Sequence, residues 1–150
     1  SQISTYAAMR ECDSVIIYGT KTGVELTSLG IPVIVAGEAW IRNKGISRDA
    51  TSIDDYFRIL DQLPFGKRLD DDTVLRARKY AYHFFFRRMI PLEFMESFKW
   101  AYKPVLTHLN ELKPGESLGL DLICNGILKE ADFIYPAEQK VTPKSSKGVA

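Results

Sequence analysis

Cysteine and histidine, the residue types that build many reactive and metal sites, are scarce here: of 150 residues, two are cysteine and two are histidine. Cys12 and Cys124 form no CxxC pair, which argues against a disulfide-built secreted fold and against thiolate zinc sites. A reduced, cytoplasmic setting and no metal are expected. An excess of either charge is lacking too. Twenty lysines and arginines stand against nineteen acids, a net charge of +1. That leaves no global electrostatic case for nucleic acid, although a local basic patch stays open. No apolar run reaches the roughly 18 residues that a membrane span needs, and no secretory signal pattern is visible. Neither GxGxxG nor GxxxxGK[ST] occurs, so the dinucleotide fingerprint and the Walker loop are both excluded.

What is present is an ordinary globular composition, 45% hydrophobic and 26% charged, in a chain of a length that suits one domain. Its size allows roughly 70% of the unfolded surface to be buried. Ser1 opens directly onto a helix-like pattern, with Ile3, Tyr6 and Ala7 recurring to residue 11, so a piece of a larger protein is expected. Ser14–Tyr18 is a continuous β-branched run suited to a strand covered on both faces. Gly19–Gly23 punctuates it. Val24–Leu29 reads as a helix stopped at Gly30, and Val33–Ala36 reads as a second strand. Strand, helix, strand is a right-handed parallel βαβ unit. Residues 37–51 read as a long loop. Helices are expected over 52–60, with Ser52 and Asp55 as a capping pair, and over 72–89. Residues 92–112 read as one or two more helices broken at Pro104. Leu118–Leu128 reads as a helix interrupted by Gly126. The boundaries expected are a domain over 1–136 and a polar, disordered tail over 137–150. Two strands followed mostly by helix are lopsided for a complete α/β domain, which points to further strands upstream.

Three constellations could carry chemistry. The turn Gly19-Thr20-Lys21-Thr22-Gly23-Val24-Glu25 joins the first strand to its helix at the carboxyl edge, where open α/β sheets bind ligands. Helix-start N–H groups and the hydroxyls of Thr20 and Thr22 could hold a phosphate, and Gly23 would let it approach the backbone. Glu25 could accept two ribose hydroxyls. Equally, Thr and Gly could simply cap the helix while Glu25 offsets its dipole. The second constellation, the loop after the second strand, carries Glu38, Trp40, Arg42, Lys44, Arg48 and Asp49. Its cations could neutralise phosphate or a substrate carboxylate, and Trp40 could stack on a base or sugar. The plainer alternative is a solvated loop anchored by one tryptophan. In the third, Arg78–Arg88, basic and aromatic residues interleave as in some nucleic-acid binders. Helical period explains it better, with aromatics packed and arginines solvated. His83 and His108 fall in helical patterns, and no catalytic residue is assigned. Asp70-Asp71-Asp72 reads as a helix-cap run.

From Ser4 to Leu60 the chain resembles the donor-binding domain of capsule polysaccharide biosynthesis and export glycosyltransferases, the group related to Kdo transferases. The pieces that carry the likeness are Ser4-Thr5-Tyr6, Cys12–Ile16, Tyr18–Glu25 against the family's S-T-x-G-x-E, and Gly30–Ala39. Lys44–Asp49, Ser52–Tyr56, the aromatic stretch Tyr80–Arg88 and Ile123–Leu128 extend it more weakly to about residue 130. The resemblance implies a Rossmann-like half of a GT-B fold, with parallel strands on the N-terminal side and a helix-rich C-terminal part. It implies that Thr20 and Gly23 hold the donor phosphate and that Glu25 meets the nucleotide. Lys21 stands where the family often has a small hydroxyl residue, which leaves the donor open. The site expected therefore comprises Thr20, Lys21, Thr22, Gly23, Glu25, Glu38, Trp40, Lys44 and Arg48. It would take a CMP- or UDP-linked sugar as substrate, without a cofactor and without a DxD metal motif. The partners implied are a glycan or glycolipid acceptor and an N-terminal GT-B domain that commonly supplies the base. The full protein would sit in the cytoplasm, peripheral at the inner membrane face, and this chain alone would not transfer sugar. The competing expectations are a hydrolysing nucleotide-sugar epimerase on the same fold and a non-enzymatic helical interaction module over 72–112.

Overall fold

A computed structural model describes residues 4–139. Two compact units divide the chain, one ending at Tyr82 and the other starting at His83.

In the first unit, α1 (Thr5–Glu11) leads to β1 (Val15–Ile17), α2 (Thr22–Ser28) and β2 (Val33–Val35). β1 and β2 pair in parallel, with Val15 opposite Val33 and Ile17 opposite Val35, so the βαβ unit expected from the sequence forms. α2 ends as its glycine requires. Gly30 takes φ +81, its N–H bonds the Thr27 carbonyl, and the Ile31 N–H bonds the Leu26 carbonyl, both at 3.0 Å. These are the paired bonds of a Schellman stop, open to glycine because it has no Cβ to clash. Thr27 is fully buried in α2, and its hydroxyl is satisfied by the carbonyls of Gly23 and Val24.

A third parallel strand, β3 (Arg48–Asp49), pairs with β2 inside the stretch expected to be loop. The sheet order is β1-β2-β3, so β2 is central. All three of its side chains are buried, each worth about 1.5–3 kcal/mol of burial. β1 departs from expectation. It lies at the sheet edge and Ile16 keeps 46% of its surface exposed, so that run is covered on one face only.

α3 (Ile53–Leu60) is capped by Ser52, whose hydroxyl accepts from the Asp55 N–H at 3.1 Å. Ile34, Ala50 and Ile59 form a core cluster with Tyr56, Leu60, Leu63 and Phe65 packed on it. α4 (Asp71–Tyr82) packs along α2. Its Ala77 is fully buried, and its Arg78 donates Nε–H to the Ser28 carbonyl at the end of α2. Asp70 caps α4 through the N–H and hydroxyl of Thr73, the capping role read from the acidic run.

In the second unit a π-helical turn (His83–Arg87) is followed by β4 (Met95–Phe98) and β5 (Ala101–Pro104), an antiparallel hairpin. This corrects the helices expected over 92–112 and removes a continuous helical module from that range. Lys99 and Trp100 make the two-residue turn, with Lys99 at φ +53. Pro104 is tolerated at the strand end, where its missing N–H matters least. A 3-10 turn (Leu109–Leu112) precedes α5 (Leu118–Lys129). Gly126 does not interrupt α5. It is buried, and a Cβ there would lie 2.5 Å from the Phe133 ring. The mixed α/β class thus stands, with a three-stranded parallel sheet and several helices. Among the described residues no helix is long and apolar enough to cross a membrane. The polar tail expectation lies, from Lys140 on, outside the described residues.

Candidate functional site

The turn between β1 and α2 stands at the carboxyl edge of the sheet. Two close backbone approaches shape it. A Cβ on Gly19 would lie 2.9 Å from the Glu38 carbonyl oxygen, and one on Gly37 would lie 2.6 Å from the Tyr18 ring. The turn and the start of the loop after β2 therefore lie against each other, and Gly19, Thr20 and Glu38 share one surface.

Within the turn the two threonines act together. The Thr20 and Thr22 hydroxyls are 3.0 Å apart, and Thr20 Oγ1 accepts the Thr22 N–H at 3.3 Å. Lys21 holds the N-cap position in a helical conformation with its side chain exposed. Gly23 has a packing role. It is buried, and a Cβ there would lie 2.6 Å from Ile17 Cδ1 and 2.8 Å from Ile41 Cδ1. The missing side chain lets α2 settle on β1, as close helix–strand packing needs, so a gap for phosphate is not the reason this structure gives for the glycine.

Glu25, in the first turn of α2, accepts the Tyr6 hydroxyl at 2.6 Å. That bond, and next the carboxylate's charge, raise the Tyr6 pKa above its ordinary value. Tyr6 was legible only as part of a motif, because its partner lies a strand and a turn away in sequence.

The loop after β2 must return to the amino edge, because β3 runs parallel to β2. Its first part stays at the carboxyl edge. Glu38 is 90% exposed there and pairs with Arg42 at 3.7 Å. Trp40 keeps 61% of its surface exposed, and its carbonyl accepts the Tyr80 hydroxyl at 2.6 Å. Arg42 ties the loop's two ends, donating to Gly37 O at 3.0 Å and Ala50 O at 2.6 Å. Asp49 closes the loop further by accepting from the Asn43 N–H and the Ser47 hydroxyl, both at 2.6 Å.

Lys44 is exposed on the returning limb, next to Gly45, whose carbonyl Arg76 of α4 holds at 2.8 Å. Arg48 is not brought to the turn. Its guanidinium lies 4.3 Å over the Phe65 ring and donates to Gln62 Oε1 at 3.1 Å. These residues line a cleft with Pro32 and Leu69, at the amino edge. The sequence expectation placed the whole loop at one edge. A parallel third strand divides it between two.

The concavities follow the same division. At the carboxyl edge, a recess of about 380 Å³ is lined by Ala36, Ala50, Ser52, Ile53, Tyr56 and Phe57. These aromatic and apolar residues were not singled out from the sequence. The cleft at the amino edge is larger, about 590 Å³. Size alone does not decide between them, because open α/β sheets as a rule bind ligands at the carboxyl edge. Among the described residues no group of three or more His, Cys, Asp or Glu is placed to hold a metal ion. His108 caps the 3-10 turn, its N–H bonding Glu111 Oε1 at 2.9 Å. No protein-family model, curated protein or solved structure matches the chain.

Proposed function

We propose that the first unit is a nucleotide-sugar donor-binding surface of a glycosyltransferase of the GT-B, capsule-polysaccharide type, taking a CMP- or UDP-linked sugar. The observation that carries this reading is the carboxyl-edge turn, where the paired hydroxyls of Thr20 and Thr22 precede the Glu25 carboxylate on α2. The two hydroxyls at the start of a helix suit a phosphate. Glu25 already accepts one O–H donor from Tyr6, the chemistry a ribose hydroxyl would offer. The neighbouring recess with Tyr56 and Phe57 gives a base or sugar an apolar wall. Resemblance of the residues from Ser4 to Leu60 to the capsule enzymes supplies the substrate class. On this reading a second Rossmann-like domain brings the acceptor glycan or glycolipid and the base, at the cytoplasmic face of the membrane. Lys21, Glu38 and Trp40 flank the donor, and Arg48 does not.

Calorimetry with CMP and UDP tests it. Binding of one of them is expected, and Glu25→Gln is expected to weaken it by about 1.5–3 kcal/mol, the range for a hydrogen bond to a charged group, with little change in thermal midpoint. Absence of binding by either nucleotide at millimolar concentration overturns the reading. Unchanged affinity in Glu25→Gln returns that residue to a purely structural place.

A further inference from the structure

The cleft at the amino edge has a composition that its place in the fold does not require. Five residues define its polar wall, Arg48, Gln62, Lys67, Arg68 and Asp70, with Phe65 beside them. Three are cations. The single carboxylate, Asp70, is engaged by the Thr73 N–H and hydroxyl at 2.8 and 2.9 Å.

Both guanidinium groups are fixed before any ligand arrives. Arg48 lies over the Phe65 ring, its Cζ 4.3 Å from the centroid, and is bonded to Gln62 Oε1. Gln62 is itself anchored through Nε2 to the Arg58 carbonyl at 3.1 Å, and Phe65 belongs to the packed core cluster. Arg68 donates to the carbonyls of Cys12 at 2.9 Å and Arg10 at 2.7 Å. Carbonyl and amide partners orient these groups without cancelling their charge. A planar guanidinium held by neutral acceptors offers its other N–H groups to an anion at little ordering cost. The cleft volume of about 590 Å³ lies within the usual range for small-ligand sites.

We propose that this cleft is a second binding site, distinct from the carboxyl-edge turn, for a small ligand bearing at least two negative charges, as phosphate or as paired carboxylates. Arg48 and Arg68 supply fixed donor forks, and Lys67 supplies a mobile point charge. The inference is independent of the donor-site reading, because the two surfaces lie on opposite edges of the sheet.

The test titrates the full chain with pyrophosphate and, separately, with citrate, at matched ionic strength in chloride. It uses calorimetry and backbone-amide NMR. Saturable binding is expected, with the largest shifts at Arg48, Gln62, Phe65 and Lys67. Arg48→Gln and Lys67→Gln should each weaken binding about tenfold, the loss of one charge-assisted hydrogen bond. Lys129→Gln, which removes a cation elsewhere, should leave it unchanged. Tighter pyrophosphate assigns the site to phosphate compounds, and tighter citrate assigns it to carboxylates. No saturable binding of either ion, shifts spread over surface cations, equal loss in Lys129→Gln, or full affinity in folded Arg48→Gln overturns the proposal.

Discussion

In residues 4–82 the side chains that leave water are mostly aliphatic and come from β1, α2, β2, α3 and the loop after β2: Ile17, Val24, Leu26, Val33, Ile34, Val35, Ile41, Ile46 and Ile59. In residues 83–139 the large apolar side chains stay mostly in water. Among the described residues there only Phe84 is buried, while Phe98, Trp100, Tyr102, Leu109, Ile127 and Leu128 are exposed. The second unit is held more by backbone proximity. Gly119 is buried, and a Cβ on it would collide with the Pro91 carbonyl oxygen. The Ser117 hydroxyl donates to Glu93 Oε2 at 2.6 Å while accepting the Leu120 N–H that starts α5. The first unit thus rests on transfer of apolar area, and the second on a few contacts that tolerate no added atom. The two should answer differently to the same kind of substitution.

Truncation of the first core should have the largest effect. Ile34→Ala empties a fully buried position on the central strand and is expected to cost about 2–5 kcal/mol, read as a lower urea midpoint with loss of amide exchange protection in β2. Next comes the reverse operation in the second unit. Gly119→Ala adds one methyl against a carbonyl rather than a movable side chain, and about 1–3 kcal/mol is expected. Its signature is lost protection confined to α5. Equal loss of protection in both units for either variant would dissolve the contrast. Because two units are involved, per-residue exchange is the measurement that decides, not a single midpoint.

A smaller effect is expected at a cap. Ser52→Ala removes the acceptor for the Asp55 N–H and should cost about 1 kcal/mol, visible as faster exchange in the first turn of α3. The smallest effect is one of pH. The carboxyls of Asp55 and Asp70 are held below the ordinary value, first by the backbone N–H groups of Thr51 and Thr73 and then by their hydroxyls. A depressed folded-state pKa contributes stability above the unfolded pKa and loses it as pH falls through the folded one. The wild type should therefore weaken below about pH 4, and Asp70→Asn should show a flatter acid limb in a thermal-midpoint series. Both residues lie in the first unit, so α5 exchange should be indifferent to either change.

The same contrast explains what could be read from the residues alone. The βαβ unit was legible because β-branched runs, a stop glycine and Pro32 agree on one topology. α3 was legible through Ser52 and its period. β3 was not, because two residues carry no period, and its absence put Arg48 at the wrong edge. The hairpin was hidden for a different reason. Its turn uses Lys99 at positive φ where sequence reasoning looks for Asn-Gly or Asp-Gly, and its exposed strands show no buried face to betray alternation. At the carboxyl edge, Thr20, Thr22 and Glu25 were visible as types in a spacing. The partnership of Glu25 with Tyr6, and of Arg68 with the end of α1, joins residues distant in sequence, and only the fold brings them together.

The clamp formed by Arg42 has a mechanical consequence. One guanidinium is bonded to the carbonyl of Gly37, just after β2, and to that of Ala50, just before α3. Both ends of the loop are thereby tied to a residue in its interior. Gly37 touches Tyr18 at the turn, and Ala50 lines the recess beside α3. One planar group thus ties the segment that touches the turn to the segment that lines the recess.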